Sequence, residues 1–151
     1  MEKLKISLLL QLCCIFIVGV SIALANQTER IGKIKTSQPE ADIRRDTTVI
    51  AARAGSEVFA NDILETGKAG NLSIIFRDGA MLTLGPSSEF TVSEYIFNPV
   101  EKSTSFISKM KKGAASYISG AIGRINPESV RIETPTAYLG LRGTKILINV
   151  D

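Results

Sequence analysis

Histidine and tryptophan are absent from this 151-residue sequence, and its only cysteines, Cys13 and Cys14, sit together near the start. Without histidine the chain lacks the side chain that most often serves as a general base near neutral pH, and beyond residue 14 it offers no thiol nucleophile. The usual zinc ligand sets are excluded for the same reason. A surplus of one charge is lacking too: 18 basic residues stand against 15 acidic ones, and the signs interleave, as where Arg44-Arg45 lies between Asp42 and Asp46. Nucleic-acid binders cluster basic residues on one face, so this balance gives no electrostatic footprint for nucleic acid. Strict repeats and long amphipathic helical patterns are missing as well.

A long apolar run is present, and at the start. Lys3 and Lys5 precede an almost uninterrupted apolar stretch from Ile6 to Ile22, and Ala23-Leu24-Ala25 supplies the small-x-small pattern of a secretory cleavage site. Residues 1–25 are therefore expected to be a signal peptide cleaved after Ala25, with a working domain of residues 26–151. The alternative is an uncleaved helical anchor over residues 4–25, since about 20 apolar residues span a bilayer. Met1 to Lys5 would then stay in the cytoplasm. Either way the domain is expected in the periplasm, secreted or anchored facing the periplasm. Leu12 before Cys13 and the long apolar run after it argue against a lipoprotein signal. Removing residues 1–25 takes away Lys3, Lys5 and Glu2, which lowers the formal charge from +3 to +2. What remains has the length of one domain and no cysteine for a disulfide framework.

The rest of the chain alternates short apolar runs with turn residues. Leu72, Ile74 and Phe76 share one face, with Ser73, Ile75 and Arg77 on the other; Asp78-Gly79 interrupts, and Ala80, Leu82 and Leu84 resume. Asp-Gly is a strong turn signal, because glycine reaches positive φ without a Cβ clash. Further breaks fall at Thr66-Gly67, Gly85-Pro86, Asn98-Pro99, Gly113 and Asn126-Pro127. This texture predicts an all-β domain of short strands, either an antiparallel β-sandwich or barrel or a short β-solenoid-like stack. Ala114 to Ile122, the best helical candidate, is bounded by Gly113, Gly120 and Gly123 and is expected to be mostly strand.

Ordered motifs then point to a family. Gly55-Ser56 leads to Asp62-Ile63-Leu64-Glu65-Thr66-Gly67, followed by Phe76-Arg77-Asp78-Gly79-Ala80, by Gly120 to Pro127, and by a closing segment with Thr134-Pro135-Thr136-Ala137 and Gly140-Leu141-Arg142-Gly143-Thr144. In order and spacing these resemble the FecR domain, an exported bacterial module best known as the periplasmic part of iron-uptake regulators. The resemblance covers nearly all of residues 26–151 and implies a β-solenoid-like fold in which Asp62, Thr66, Gly67, Asp78, Gly79, Thr134, Pro135, Gly140, Arg142, Gly143 and Thr144 are structural. It tips the choice of architecture toward the solenoid-like stack. The regulators it resembles also hold a sigma factor through a cytoplasmic segment, and Met1 to Lys5 is too short for such a helix bundle.

Several groups are candidate sites. Glu40, Asp42 and Asp46 match no calcium-loop spacing, and Asp62, Glu65 and Asp78 would have to face each other across a cleft to act as a glycosidase pair. Turn formation explains Asp62 and Asp78 instead. Arg142, between glycines, is expected to stitch adjacent strands by pairing carbonyls or a carboxylate such as Glu133 or Glu65. Lys109, Lys111 and Lys112 read as a solvated loop. Tyr95, Phe97 and Phe106, around the Asn98-Pro99 break, form the candidate partner surface, because interfaces concentrate aromatics. The expectation is thus a non-catalytic binding or sensing module without cofactor or metal, contacting an envelope protein or cell-wall glycan. An exposed strand edge at Ile146 to Val150 would receive the partner or would join copies into a homo-oligomeric structural element.

Overall fold

The computed structural model describes residues 29–141 and 145–151. The expected signal or anchor segment and Arg142-Gly143-Thr144 lie outside the described residues. Twelve strands follow one another: β1 (Arg30–Ser37), β2 (Ala41–Arg45), β3 (Thr48–Ala51), β4 (Glu57–Phe59), β5 (Ile63–Thr66), β6 (Leu72–Phe76), β7 (Met81–Leu84), β8 (Glu89–Asn98), β9 (Ser103–Ile118), β10 (Val130–Glu133), β11 (Tyr138–Gly140) and β12 (Lys145–Val150). Between β9 and β10 stand a short helix, α1 (Ala121–Ile125), and a 3-10 turn at Pro127–Ser129. The Ala114–Ile122 segment divides: it is strand as far as Ile118, and α1 begins at Ala121.

The strands form one curled sheet, ordered β3-β2-β5-β8-β9-β7-β6-β1-β4, with β10, β11 and β12 attached beside β9. Its spine is β9. The first part of β9 pairs β8 on one side and β10 on the other, whereas its last part pairs β7 and β12. The direction changes at Gly113, whose φ of +90° suits a residue without a Cβ. Half I of the sheet is therefore β4-β1-β6-β7-β9-β12, and half II is β3-β2-β5-β8-β9-β10-β11. Every pairing is antiparallel except β9 with β10. This curled antiparallel sheet corrects the expectation of a solenoid-like stack, which would pair successive coils in parallel. The physical reason is local: the hairpins β2-β3, β6-β7, β8-β9 and β10-β11, the second turned by Asp78-Gly79, fold the chain back on itself instead of winding it in coils.

One core fills the space between the halves. Ile74, Leu82 and Tyr117 enter it from half I, and Leu64, Phe90, Phe106 and Ile132 from half II, each at most 1% exposed. Alternation along the strands produces this segregation, since successive side chains leave opposite faces. Aromatic rings join the halves: Phe106 meets Phe76 edge-on with centroids 5.2 Å apart and Tyr117 at 5.1 Å. Among the described residues no helix is long and apolar enough to cross a membrane.

Candidate contact surface

The residues of β12 read Lys-Ile-Leu-Ile-Asn-Val, and β-branched side chains at alternate positions favour a strand packed on one face. Ile148 is buried, and Ile146 and Val150 pack against the core from its rim. On the opposite face Leu147 is 77% exposed. Register with β9 is unbroken from Lys145 opposite Ile118 to Val150 opposite Gly113. Among the described residues β9 is the sole partner of β12, so its far side is a sheet edge. The other outer strands, β3, β4 and β11, span only three or four residues. Proteins commonly blunt edges with central charges, prolines or bulges. The six residues of β12 carry none of these between their ends.

Beside this edge the outward residues of β6, β7 and the last part of β9 carry no charge, and the charges of half I gather farther off on β1 and β4, where Arg30 pairs Glu57. Register aligns Lys33, Ile75, Met81, Ile118 and Lys145 in one row and Ser73, Thr83, Ser116 and Leu147 in the next. Between the terminal lysines of the first row stand only apolar side chains, with Ile75 41% and Ile118 39% exposed. A shallow cleft of about 400 Å³ lies along the second row, lined by Thr83, Ala114, Ser116, Leu147 and Asn149.

The motif residues are occupied in holding the fold. Asp62, 2% exposed, receives Arg45 through Nε and Nη2, both at 2.8 Å, and the Phe59 N–H at 2.9 Å. Arg45 also lies 4.4 Å above the Phe59 ring, and its hydrogen bond to Asp62 raises its pKa further. Thr66 Oγ1 donates to the Gly85 carbonyl and accepts from the Ser88 N–H, while the Gly67 N–H donates to the Glu40 carbonyl. Asp78 sits where both halves meet. Its carboxyl group accepts from Ala80 N–H, Ile122 N–H and the Tyr95 hydroxyl, and its own N–H donates to Tyr95 Oη at 2.9 Å. Thr134 closes the β10-β11 turn by bonding Ala137 through backbone and hydroxyl, with Pro135 exposed. Gly140 ends β11 opposite Arg131.

Of the three aromatic candidates for a partner surface, Phe106 is the one the fold withdraws. Phe106 is fully buried, and Tyr95 and Phe97 pack against the core. A register shift between Val92 and Glu94 reverses the facing of β8, so Tyr95 and Phe97 turn inward after Phe90 and Val92 have already done so. The lysines lie on β9 rather than in a loop: Lys109 pairs Glu133 at 3.6 Å and Lys111 pairs Glu89 at 3.1 Å. Between these pairs, on the outer face of half II, a groove of about 360 Å³ ends at Thr134 and Pro135. Glu65, weighed as a catalytic group, pairs Arg44. Among the described residues no group of three or more carboxylates gathers to hold a metal ion.

Sequence reasoning found the β12 strand through its alternation but missed the Arg45 pairing and the apolar stripe. The signal for the stripe was present in Ile75, an isoleucine on the otherwise polar face of β6. A family model described as FecR protein matches residues 62–151, over half of the chain. Neither the curated proteins nor the solved structures contain a match to the chain.

Proposed function

This chain belongs to the FecR family, and from that premise we propose that it is an exported, non-catalytic binding and sensing module of the bacterial envelope. The observation that carries the reading is the β12 edge with the uncharged face beside it. An edge strand recognises an extended segment of a protein through main-chain hydrogen bonds, and the adjoining side chains add selectivity. Apolar surface left next to such an edge favours contact, because its burial contributes about 25 cal/mol per Å². A protein partner is favoured over a glycan for a specific reason: the Phe106 ring is buried, and those of Tyr95 and Phe97 are half-buried against the core. The non-catalytic part rests on Asp62 and Asp78, whose carboxyl groups are enclosed by hydrogen bonds within the fold.

A photo-crosslinking residue placed at Leu147 in cells tests the proposal. It is expected to trap an extracytoplasmic protein chain, whereas the same residue at Val49, 64% exposed on β3 of half II, is expected to trap none. Equal yields at the two positions, or no adduct at Leu147, would overturn it.

A further inference from the structure

A strand that accepts another strand can be completed by a copy of itself, provided the sequence read backwards is complementary. In a two-fold antiparallel pair centred on residue 148, Ile148 lies opposite its own counterpart, Leu147 opposite Asn149, Ile146 opposite Val150 and Lys145 opposite Asp151. The facing is consistent, since Lys145, Leu147, Asn149 and Asp151 are exposed while Ile146, Ile148 and Val150 turn toward the core. Each two-fold pair thus places two Lys-Asp contacts at its ends and β-branched apolar pairs along the inner face, combinations that stabilise neighbouring strands. Moving the centre to Leu147 or Asn149 loses the Lys145 to Asp151 contact. Neither side chain has an ion-pair partner among the described residues.

We infer that the β12 edge takes a second copy of this chain, paired antiparallel about Ile148 so that half I continues from one protomer into the next. The inference rests on the reading of β12 as the contact edge and names its occupant. The apolar rows of the two copies then lie on one continuous outer face, and an envelope partner competes with the second copy for the edge.

Light scattering and sedimentation of the full chain purified in detergent test this. A concentration-dependent dimer is expected, and Lys145→Glu, which sets like charges opposite each other at two symmetric positions, is expected to weaken it about tenfold. The double swap K145E/D151K restores the pairing, which a merely structural role for Lys145 would not. In a C13S/C14S background, L147C/N149C should oxidise to a covalent dimer and neither single cysteine variant should, because position 147 faces position 149 of the other copy and neither faces its own counterpart. An unchanged urea midpoint for Lys145→Glu shows that folding is intact. A monomer at every concentration, or a dimer indifferent to Lys145→Glu, overturns the inference. If Leu147 still captures a different envelope protein in cells, the contact edge stands and only its occupant is wrong; if Leu147 captures nothing, both readings fall.

Discussion

The two outer faces of the sheet are made by the same alternation but finished differently. On half II, charged residues project and find each other, Arg44 with Glu65, Lys111 with Glu89 and Lys109 with Glu133. On half I Arg30 pairs Glu57 on β1 and β4, but the rows of β6, β7 and β9 beside β12 are isoleucine, methionine, serine and threonine. A face of paired charges stays hydrated and gains little by contact, since each pair exchanges water for a partner at small net benefit. An uncharged face next to a six-residue edge has no such self-sufficiency. On the proposed reading, solvent meets half II and a partner meets half I.

Gly113 keeps the faces distinct, and altering it has the largest expected effect. A Cβ there would meet Ser87 O at 2.8 Å and press on Ser88, at a φ of +90°. Gly113→Val combines overpacking with a left-handed backbone cost and is expected to destabilise by about 3 kcal/mol or more. Urea unfolding measures it. A loss below about 1 kcal/mol would mean that the two halves are less tightly joined at β9 than the geometry requires.

Arg45→Met comes next. It leaves Asp62, whose side chain is 1% exposed, without its charged partner. Removing one member of a buried pair costs about 3–5 kcal/mol, and the partial exposure of Arg45 places the expectation at about 2–3 kcal/mol. Lys109→Met and Lys111→Met, on the open face of the same half, should each cost less than about 0.5 kcal/mol. Together the three separate the anchoring role of charge in half II from its solvating role.

Legibility followed the range of the interactions. The Asp78-Gly79 hairpin and the alternation of β6, β7 and β12 were readable because neighbours in sequence decide them. The burial of Phe106 is not legible locally, because β9 buries Phe106, Ser108 and Met110 in alternation, and the serine, 0% exposed, masks the apolar period. The inward turn of Tyr95 and Phe97 is equally hidden, because the register shift in β8 reverses parity without a glycine or proline to announce it. The texture of short strands also fits antiparallel closure, but its spine is masked for a similar reason: β9 runs through Gly113, which as sequence looks like a break. Arg45 meets Asp62 from 17 residues away, a distance over which local pattern carries no information.

Tyr95 and Tyr117 approach the junction of the halves with opposite fortunes. Tyr95 Oη both accepts from and donates to Asp78, whereas buried Tyr117 Oη has no hydrogen-bond partner among the described residues. Tyr95→Phe should cost about 1–2 kcal/mol, and Tyr117→Phe should be neutral or stabilising by up to about 1 kcal/mol. Burial, then the nearby Asp78, pushes both phenols above their ordinary range. A raised folded-state value means that the unfolded chain loses these protons first. The contribution is therefore complete below about pH 10 and lost as pH rises beyond it. Tyr117→Phe should unfold at higher pH than the unsubstituted chain; an identical alkaline transition would remove Tyr117 from that account.

The smallest stability effect belongs to the residue on which the contrast between the faces most depends. Leu147 is 77% exposed, so Leu147→Ser removes little buried area and should change the urea midpoint by less than about 0.5 kcal/mol equivalent. In an assembled edge the same side chain lies against a partner strand, and its replacement should reduce association while folding is untouched. Serine at Ile148 behaves differently, because that side chain is 7% exposed and its loss weakens the core as well. If Leu147→Ser lowered stability as much as Ile148→Ser, the outer face of β12 would be part of the monomer's own packing. If it changed neither stability nor association, half I would be as solvent-directed as half II, and the contrast between the two faces would lose its functional meaning.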